Sequence, residues 1–172
     1  MIERSQEILI GAALMQKVLG GCPAVVGIED NKPEAIKAMS AALDALKAKS
    51  SDYSGIRIQI LKKKYPQGGE KQLIAAVMKR EVKSMGLPID VGAVVQNVAT
   101  SLAVYEAVQK NMPLITNTMT ITGDCLPQER QHNYLFRIGM PLSYIAEYAG
   151  GVPQEAAKIV SGGPMMGKAI AN

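Results

Sequence analysis

One joint constrains this chain more than any other feature: the run Lys64-Tyr65-Pro66-Gln67-Gly68-Gly69-Glu70-Lys71-Gln72-Leu73, across which the hydrophobic period changes. Before it, Ile56, Ile58 and Ile60 alternate with Arg57 and Gln59 in the period of a half-buried strand. After it, Leu73, Ile74 and Val77 recur at helical spacing, which predicts a helix starting near Gly69. A chain that passes from strand to helix in this way calls for a layered α/β arrangement. The joint also has a chemistry of its own. Free backbone N–H groups at a helix start attract negative charge, and glycines let a phosphate or a flat ring approach the main chain. The run is not a Walker or dinucleotide fingerprint, and by itself it favours an ordinary strand-to-helix turn punctuated by Gly-Gly.

The rest of the first two thirds repeats the rhythm. Ile8, Leu9, Ala12, Ala13, Met15 and Leu19 fit one helix from Glu3 to Leu19, ended by Gly20-Gly21. Ala24 to Ile28 is a short apolar run of strand character. Asp30 or Asn31 then offers an N-cap for a helix opened by Pro33 and running to about Lys49. After the loop Gly86-Leu87-Pro88-Ile89-Asp90, the apolar run Val91 to Val95 reads as a central strand leading to Gln96-Asn97. A helix follows from Ala99 to Lys110, with Asn97 or Thr100 as its capping candidate.

Past Asn111-Met112-Pro113 the character changes. Thr118 to Thr122 and Tyr134 to Ile138 read as strands, Pro141 to Tyr148 as a short helix ended by Gly150-Gly151, and Lys158 to Ser161 as a strand. Gly162-Gly163-Pro164-Met165-Met166-Gly167 reads as a tight turn needing positive φ. The boundary is expected near Pro113, giving domains 1–112 and 113–172. The natural packing of the second is a β-grasp, a small sheet holding one helix.

Composition narrows the function classes. With 48% hydrophobic residues in 172, the chain can bury a core. Its longest apolar runs fall short of the roughly 20 residues that span a bilayer. Met1-Ile2-Glu3-Arg4 does not read as a secretory signal, so a cytoplasmic address is expected. A net charge of +4, concentrated only at Lys62-Lys63-Lys64, and a lack of tryptophan argue against nucleic acid as a partner. Cys22 and Cys125 are expected to be small buried hydrophobes. The lone His132 has no neighbouring ligand, so no metal site is expected, and two cysteines cannot supply the four thiolates of an iron–sulfur cluster.

Taken together, Gly27-Ile28-Glu29-Asp30-Asn31-Lys32-Pro33-Glu34-Ala35, the Lys64–Leu73 joint, Gly86-Leu87-Pro88, Asp90-Val91-Gly92 and Val95-Gln96-Asn97-Val98-Ala99-Thr100 closely resemble the RnfC family, the flavin-type component of the Rnf electron-transport complex. Thr120-Ile121-Thr122-Gly123-Asp124, Arg137-Ile138-Gly139-Met140-Pro141 and Ser161 to Gly167 resemble the soluble-ligand-binding β-grasp domain of that family. The resemblance implies an α/β flavin-type domain followed by that β-grasp domain. It also implies kinship with the NADH-oxidising subunit of respiratory complex I, with FMN and NAD(H) as cofactors and 4Fe-4S clusters whose ligands are absent from this chain. The implied partners are NADH, ferredoxin and the other subunits of a membrane complex, on the inner face of the bacterial cell membrane. The family's Tyr-x-x-Gly-x-Glu stretch, which borders flavin and nicotinamide, is matched by Tyr65, Gly68, Gly69 and Glu70. Its paired Asn is matched by Gln96 and Asn97, one amide changed, with Thr100 following. Glu29 and Asp30 join the set because ligands in open α/β sheets favour the crevice outside the strand ends.

The family's Gly-rich phosphate loop and its Cys-rich segment are not found in this sequence, so the chain alone is expected to bind FMN weakly or not at all and to be inactive. Two other readings remain open on these residues. One is a cobalamin-reductase flavoprotein of the same family, and the other is a non-catalytic docking module in which the β-grasp half recognises a ligand or partner.

Overall fold

The computed structural model of the chain describes residues 1–163 and 165–170. The chain divides into two compact units, Met1–Pro113 and Leu114–Asn172.

The first unit opens with helix α1 (Ser5–Val18) and strand β1 (Ala24–Glu29), continues with helix α2 (Pro33–Lys47) and strand β2 (Ile56–Leu61), and then adds α3 (Glu70–Met78) and α4 (Val98–Lys110). β1 and β2 are parallel, in a register running from Ala24 opposite Ile56 to Glu29 opposite Leu61, with α2 as the crossover that parallel strands require. The core is built where α1 and α2 meet this strand pair. Leu9 and Met39 are fully buried, Ile56 is 1% exposed, and Ile8, Val26, Ile28, Leu43 and Leu46 close around them. Burying such side chains contributes about 1.5–3 kcal/mol each, which makes this cluster the main stabilising mass of the unit.

Helix α4 packs along α1 at very short range. The Ser101 hydroxyl donates to the Ile8 carbonyl at 2.7 Å, and a Cβ added to Gly11 would lie 1.8 Å from the Ser101 carbonyl oxygen. Ion pairs fasten the same helices: Arg4 to Glu7, Arg4 to Glu106 at 2.5 Å, and Lys110 to Glu7 at 2.8 Å. Hydrogen bonds from Arg4 and then Lys110 hold the Glu7 carboxyl at about 2, against the opposing effect of burial.

Three expectations need correction. Val91 to Val95 is not a strand: a 3-10 turn covers Pro88–Val91, and Gly92 at φ 72° turns the chain out of any extended course. Two N–H groups of the run bond locally instead of to a neighbouring strand, Gly92 N–H donating to the Ile89 carbonyl and Ala93 N–H to that of Pro88. The joint into α4 is therefore a turn-to-helix one. Neither Asp30 nor Asn31 caps α2, whose N-cap is Lys32 with Pro33 at the first helical position; the Asp30 side chain bonds elsewhere. Cys22 and Cys125 are both exposed free thiols, because Cys22 lies in the loop between α1 and β1 and Cys125 in a surface turn rather than on a packed face.

The second unit orders its elements as strand, strand, helix, strand, strand: β3 (Thr116–Ile121), β4 (His132–Arg137), α5 (Leu142–Tyr148), β5 (Ile159–Ser161) and β6 (Lys168–Ile170). β3 pairs antiparallel with β4, and β5 with β6, as two separate two-stranded ladders. β6 is an addition to the sequence reading. Ile145 and Ala149 of the α5 region form the buried centre. Gly162 adopts φ 105°, as the turn before β6 demands, while Pro164 of that motif lies outside the described residues.

Candidate functional site

The parallel pairing of β1 and β2 brings Glu29, Asp30 and Lys62-Lys63-Lys64 to one edge, the carboxyl ends of the strands, where the joint begins. Two tight turns shape the joint. Gln67 N–H donates to the Lys64 carbonyl at 2.8 Å, and Gly69 N–H to the Pro66 carbonyl at 2.9 Å, around a cis Tyr65–Pro66 peptide. Gly69 is the N-cap of α3, in extended conformation and without a side chain to accept from the helix. The first backbone N–H to be satisfied within the helix is that of Leu73, bonded to the Gly69 carbonyl. Donors at Glu70, Lys71 and Gln72 therefore face outward for a ligand or water.

The two glycines are not equivalent. At Gly69 a Cβ would lie 3.1 Å from the backbone carbonyl oxygen of Pro66, closer than ordinary contact, and against the movable end of the Gln72 side chain. At Gly68 a Cβ would meet nothing within 4 Å, and its φ is not positive. Neither packing nor backbone geometry asks for glycine at 68, which leaves open space against the main chain. Tyr65, three residues earlier in the joint, is 70% exposed, and Glu70 is exposed at the first position of α3. A carboxylate there gains from the helix dipole and repels a phosphate. The joint therefore suits a flat ring with N–H donors better than an anionic group, and the three exposed lysines are the better match for phosphate charge.

Gln96, Asn97 and Thr100 form a second group at the start of α4. Asn97 is the N-cap, its Oδ1 accepting from Ala99 N–H at 2.9 Å, so its side-chain N–H groups remain available as donors. Gln96 and Thr100 are exposed. Among the described residues no hydrogen bond joins this group to the Tyr65–Glu70 joint. Both groups fit what a flavin needs in part: open main chain, amide donors and an acceptor carboxylate are present, and a phosphate loop is not among these residues.

The model of the Nuo51 FMN-binding domain matches residues 1–106, and that of the SLBB domain matches residues 129–169. The chain belongs to the Nuo51 FMN-binding family. The matched span contains the joint, Glu29, Asp30, Gln96, Asn97 and Thr100. Three curated relatives are the C subunits of ion-translocating complexes. The chain is 44% identical over 174 residues to that of the proton-translocating ferredoxin:NAD(+) oxidoreductase complex of Clostridium ljungdahlii, covering 100% of this chain and 35% of the relative. It is 39% identical to that of the Na(+)-translocating ferredoxin:NAD(+) oxidoreductase complex of Acetobacterium woodii, covering 97% of this chain and 36% of the relative. It is 41% identical to that of the ion-translocating oxidoreductase complex of Pseudomonas aeruginosa, covering 99% of this chain and 21% of the relative. The chain thus spans about a third or less of these curated relatives. The family resemblance read from the motifs, and the α/β class, hold.

Sequence reasoning missed the α1–α4 seam. Gly11 and Ser101 are small residues on separate helices, and no local pattern ties one to the other. Arg4 and Glu7 are visible as a helical pair, yet Glu106 and Lys110 come into reach only through the fold. A cavity of about 820 Å³ beside this network is lined by Glu3, Gln6, Ala41 and Tyr105 among others, and it contains none of the joint's residues.

Proposed function

We propose that this chain is part of an NADH:FMN oxidoreductase subunit of a membrane-associated, ion-translocating complex that relays electrons between NAD(H) and ferredoxin. The observation that carries the reading is the joint itself. Unsatisfied N–H groups of α3, vacant space over Gly68, an exposed tyrosine and an exposed carboxylate converge at the strand ends of a family whose model is FMN-binding.

When bound, a flavin supplies hydride acceptance from NADH and release of electrons one at a time. The chain's own residues then have distinct tasks. Gly68 would leave a ring room against the main chain, with Gly69 turning the chain into α3, and Tyr65 would border it. Glu70 accepts hydrogen bonds from ring or carboxamide N–H groups, and Asn97 donates from its amide. Gln96 and Thr100 add polar contacts at the start of α4, and Lys62 to Lys64 balance nucleotide phosphate charge.

The iron–sulfur relay would be ligated outside this chain. It has only two cysteines, and no cluster of three or more His, Cys, Asp or Glu able to hold a metal occurs among the described residues. No helix among them is long and apolar enough to cross a membrane. In this reading other subunits hold the protein at the inner face of the bacterial cell membrane. The isolated chain is expected to bind FMN weakly or not at all and to turn over no NADH.

Glu70→Ala in the full-length protein tests the reading. Loss of an acceptor used in the transition state should lower NADH oxidation roughly tenfold or more. Unchanged turnover would favour a docking role for this chain.

A further inference from the structure

We infer that Asp30 is a positioning residue: its side chain anchors the loop that carries Tyr65 and Gly68 to Glu70, so that it acts on the flavin through that loop. This rests on the flavin reading above.

The ladder between β1 and β2 is regular up to its end. Ala24 N–H donates to the Gly55 carbonyl, and six residues later Asp30 N–H donates to the Leu61 carbonyl at 2.8 Å, in the same pattern. In a continued parallel ladder the carbonyl of residue 30 would next accept from the N–H of Lys63. The Asp30 carboxylate takes that place instead, Oδ1 accepting from Lys63 N–H at 3.1 Å. Meanwhile β1's chain turns away, with Lys32 N–H donating to the Glu29 carbonyl, to enter α2.

A side chain thus holds the outgoing β2 strand one step beyond the point where the backbone of β1 has left it. From Lys63 the backbone bonds are short-range: the Lys64 carbonyl takes Gln67 N–H, the Pro66 carbonyl takes Gly69 N–H, and the Gly69 carbonyl takes Leu73 N–H, until Leu73 beside Gly27 and the buried Ile74 hold α3 at the loop's far end. Lys62, Lys63 and Lys64 are exposed, so little apolar packing fixes the loop's leading end. The anchor needs an oxygen acceptor at that position, and its charge is secondary. A carboxylate that touched the cofactor or served by its charge would make the opposite demand.

The test uses the full-length protein with FMN, comparing wild type with Asp30→Ala and Asp30→Asn. Fluorescence quenching gives the FMN dissociation constant, amide hydrogen exchange reads the segment 62–69, and urea unfolding reports global stability. Asp30→Ala should weaken FMN binding by about fivefold to tenfold, the loss of one hydrogen bond, and should speed exchange at Lys63. Asp30→Asn keeps the acceptor and should stay within about twofold of wild type in both. The inference is overturned if Asp30→Ala leaves affinity and exchange unchanged. It is equally overturned if Asp30→Asn is as weak as Asp30→Ala, or if the affinity loss only tracks a lower unfolding midpoint. Wild type that binds no FMN would sink the flavin reading and this role with it, an outcome distinct from failure of Asp30 alone.

Discussion

Replacing Gly11 by alanine sets two physical effects of opposite sign against each other. By helix propensity alone, alanine in the interior of α1 should stabilise the chain by about 1 kcal/mol. The packing against α4 says otherwise. The new Cβ would sit 1.8 Å from the Ser101 carbonyl oxygen and 2.7 Å from its carbon, both rigid backbone atoms. Relief requires the helices to part by roughly 1.5 Å, the difference from ordinary carbon–oxygen contact, since neither atom belongs to a side chain that can swing aside. That movement would also carry the Ser101 hydroxyl, now 2.7 Å from the Ile8 carbonyl, out of hydrogen-bond range. Overpacking of this kind costs about 2–3 kcal/mol, and the lost bond adds about 1 kcal/mol. After the propensity gain, a net loss of about 2–3 kcal/mol remains. Urea unfolding followed by the helical circular-dichroism signal, to which α1–α4 of the first unit contribute most of the helical residues, should show the midpoint falling by about 1–2 M. Ser101→Ala, which removes only the hydroxyl, should cost about 1 kcal/mol. A Gly11→Ala midpoint equal to or above that of wild type would refute the close approach of α1 and α4.

Other consequences can be measured on the same chain. Because the Glu7 carboxyl is held at about 2 against an ordinary 4.5, its ion pairs contribute stability that is fully present above about 4.5 and is lost as pH falls towards 2. Glu7→Gln should flatten the acid limb of stability across that window while changing neutral-pH stability by about 1 kcal/mol, and identical acid limbs would contradict the network. Cys22 and Cys125 should both react with a thiol reagent in the folded protein as fast as they do in the unfolded chain, and protection of either would contradict their exposure.

Where the sequence read well, local physics was sufficient. Ile56 to Leu61 and the helix after Gly69 follow from a change of period, Gly20-Gly21 ends α1 as glycines do at helix ends, and Asn97 caps α4 through its own side chain. Where it misled, the deciding contact lay far along the chain. Val91 to Val95 has the composition of a strand but no pairing partner among the described residues; Pro88 and Gly92 bend it into a turn. Asp30 looked like a cap because it precedes Pro33, and only the fold brings Lys63 to its carboxylate. Ile60, an apparent inward residue of β2, is 58% exposed, because alternation reports which side a residue is on and not whether that side is covered. At the site, residue types were legible from the motifs. The difference between Gly69, crowded by the Pro66 carbonyl, and Gly68, with nothing within 4 Å of its Cβ position among the described residues, was not.

That difference offers the most direct test of the account. Valine at position 68 would put its side chain into space that is empty in the protein alone and filled if a flavin ring lies against the joint. The measurement is FMN affinity by fluorescence titration in the full-length protein, wild type against Gly68→Val, with unfolding midpoints recorded alongside. The account predicts a loss of affinity of roughly tenfold or more, about 1.4 kcal/mol or greater, with the midpoint unchanged. Equal FMN affinity in the two proteins would contradict the claim that this joint borders the flavin.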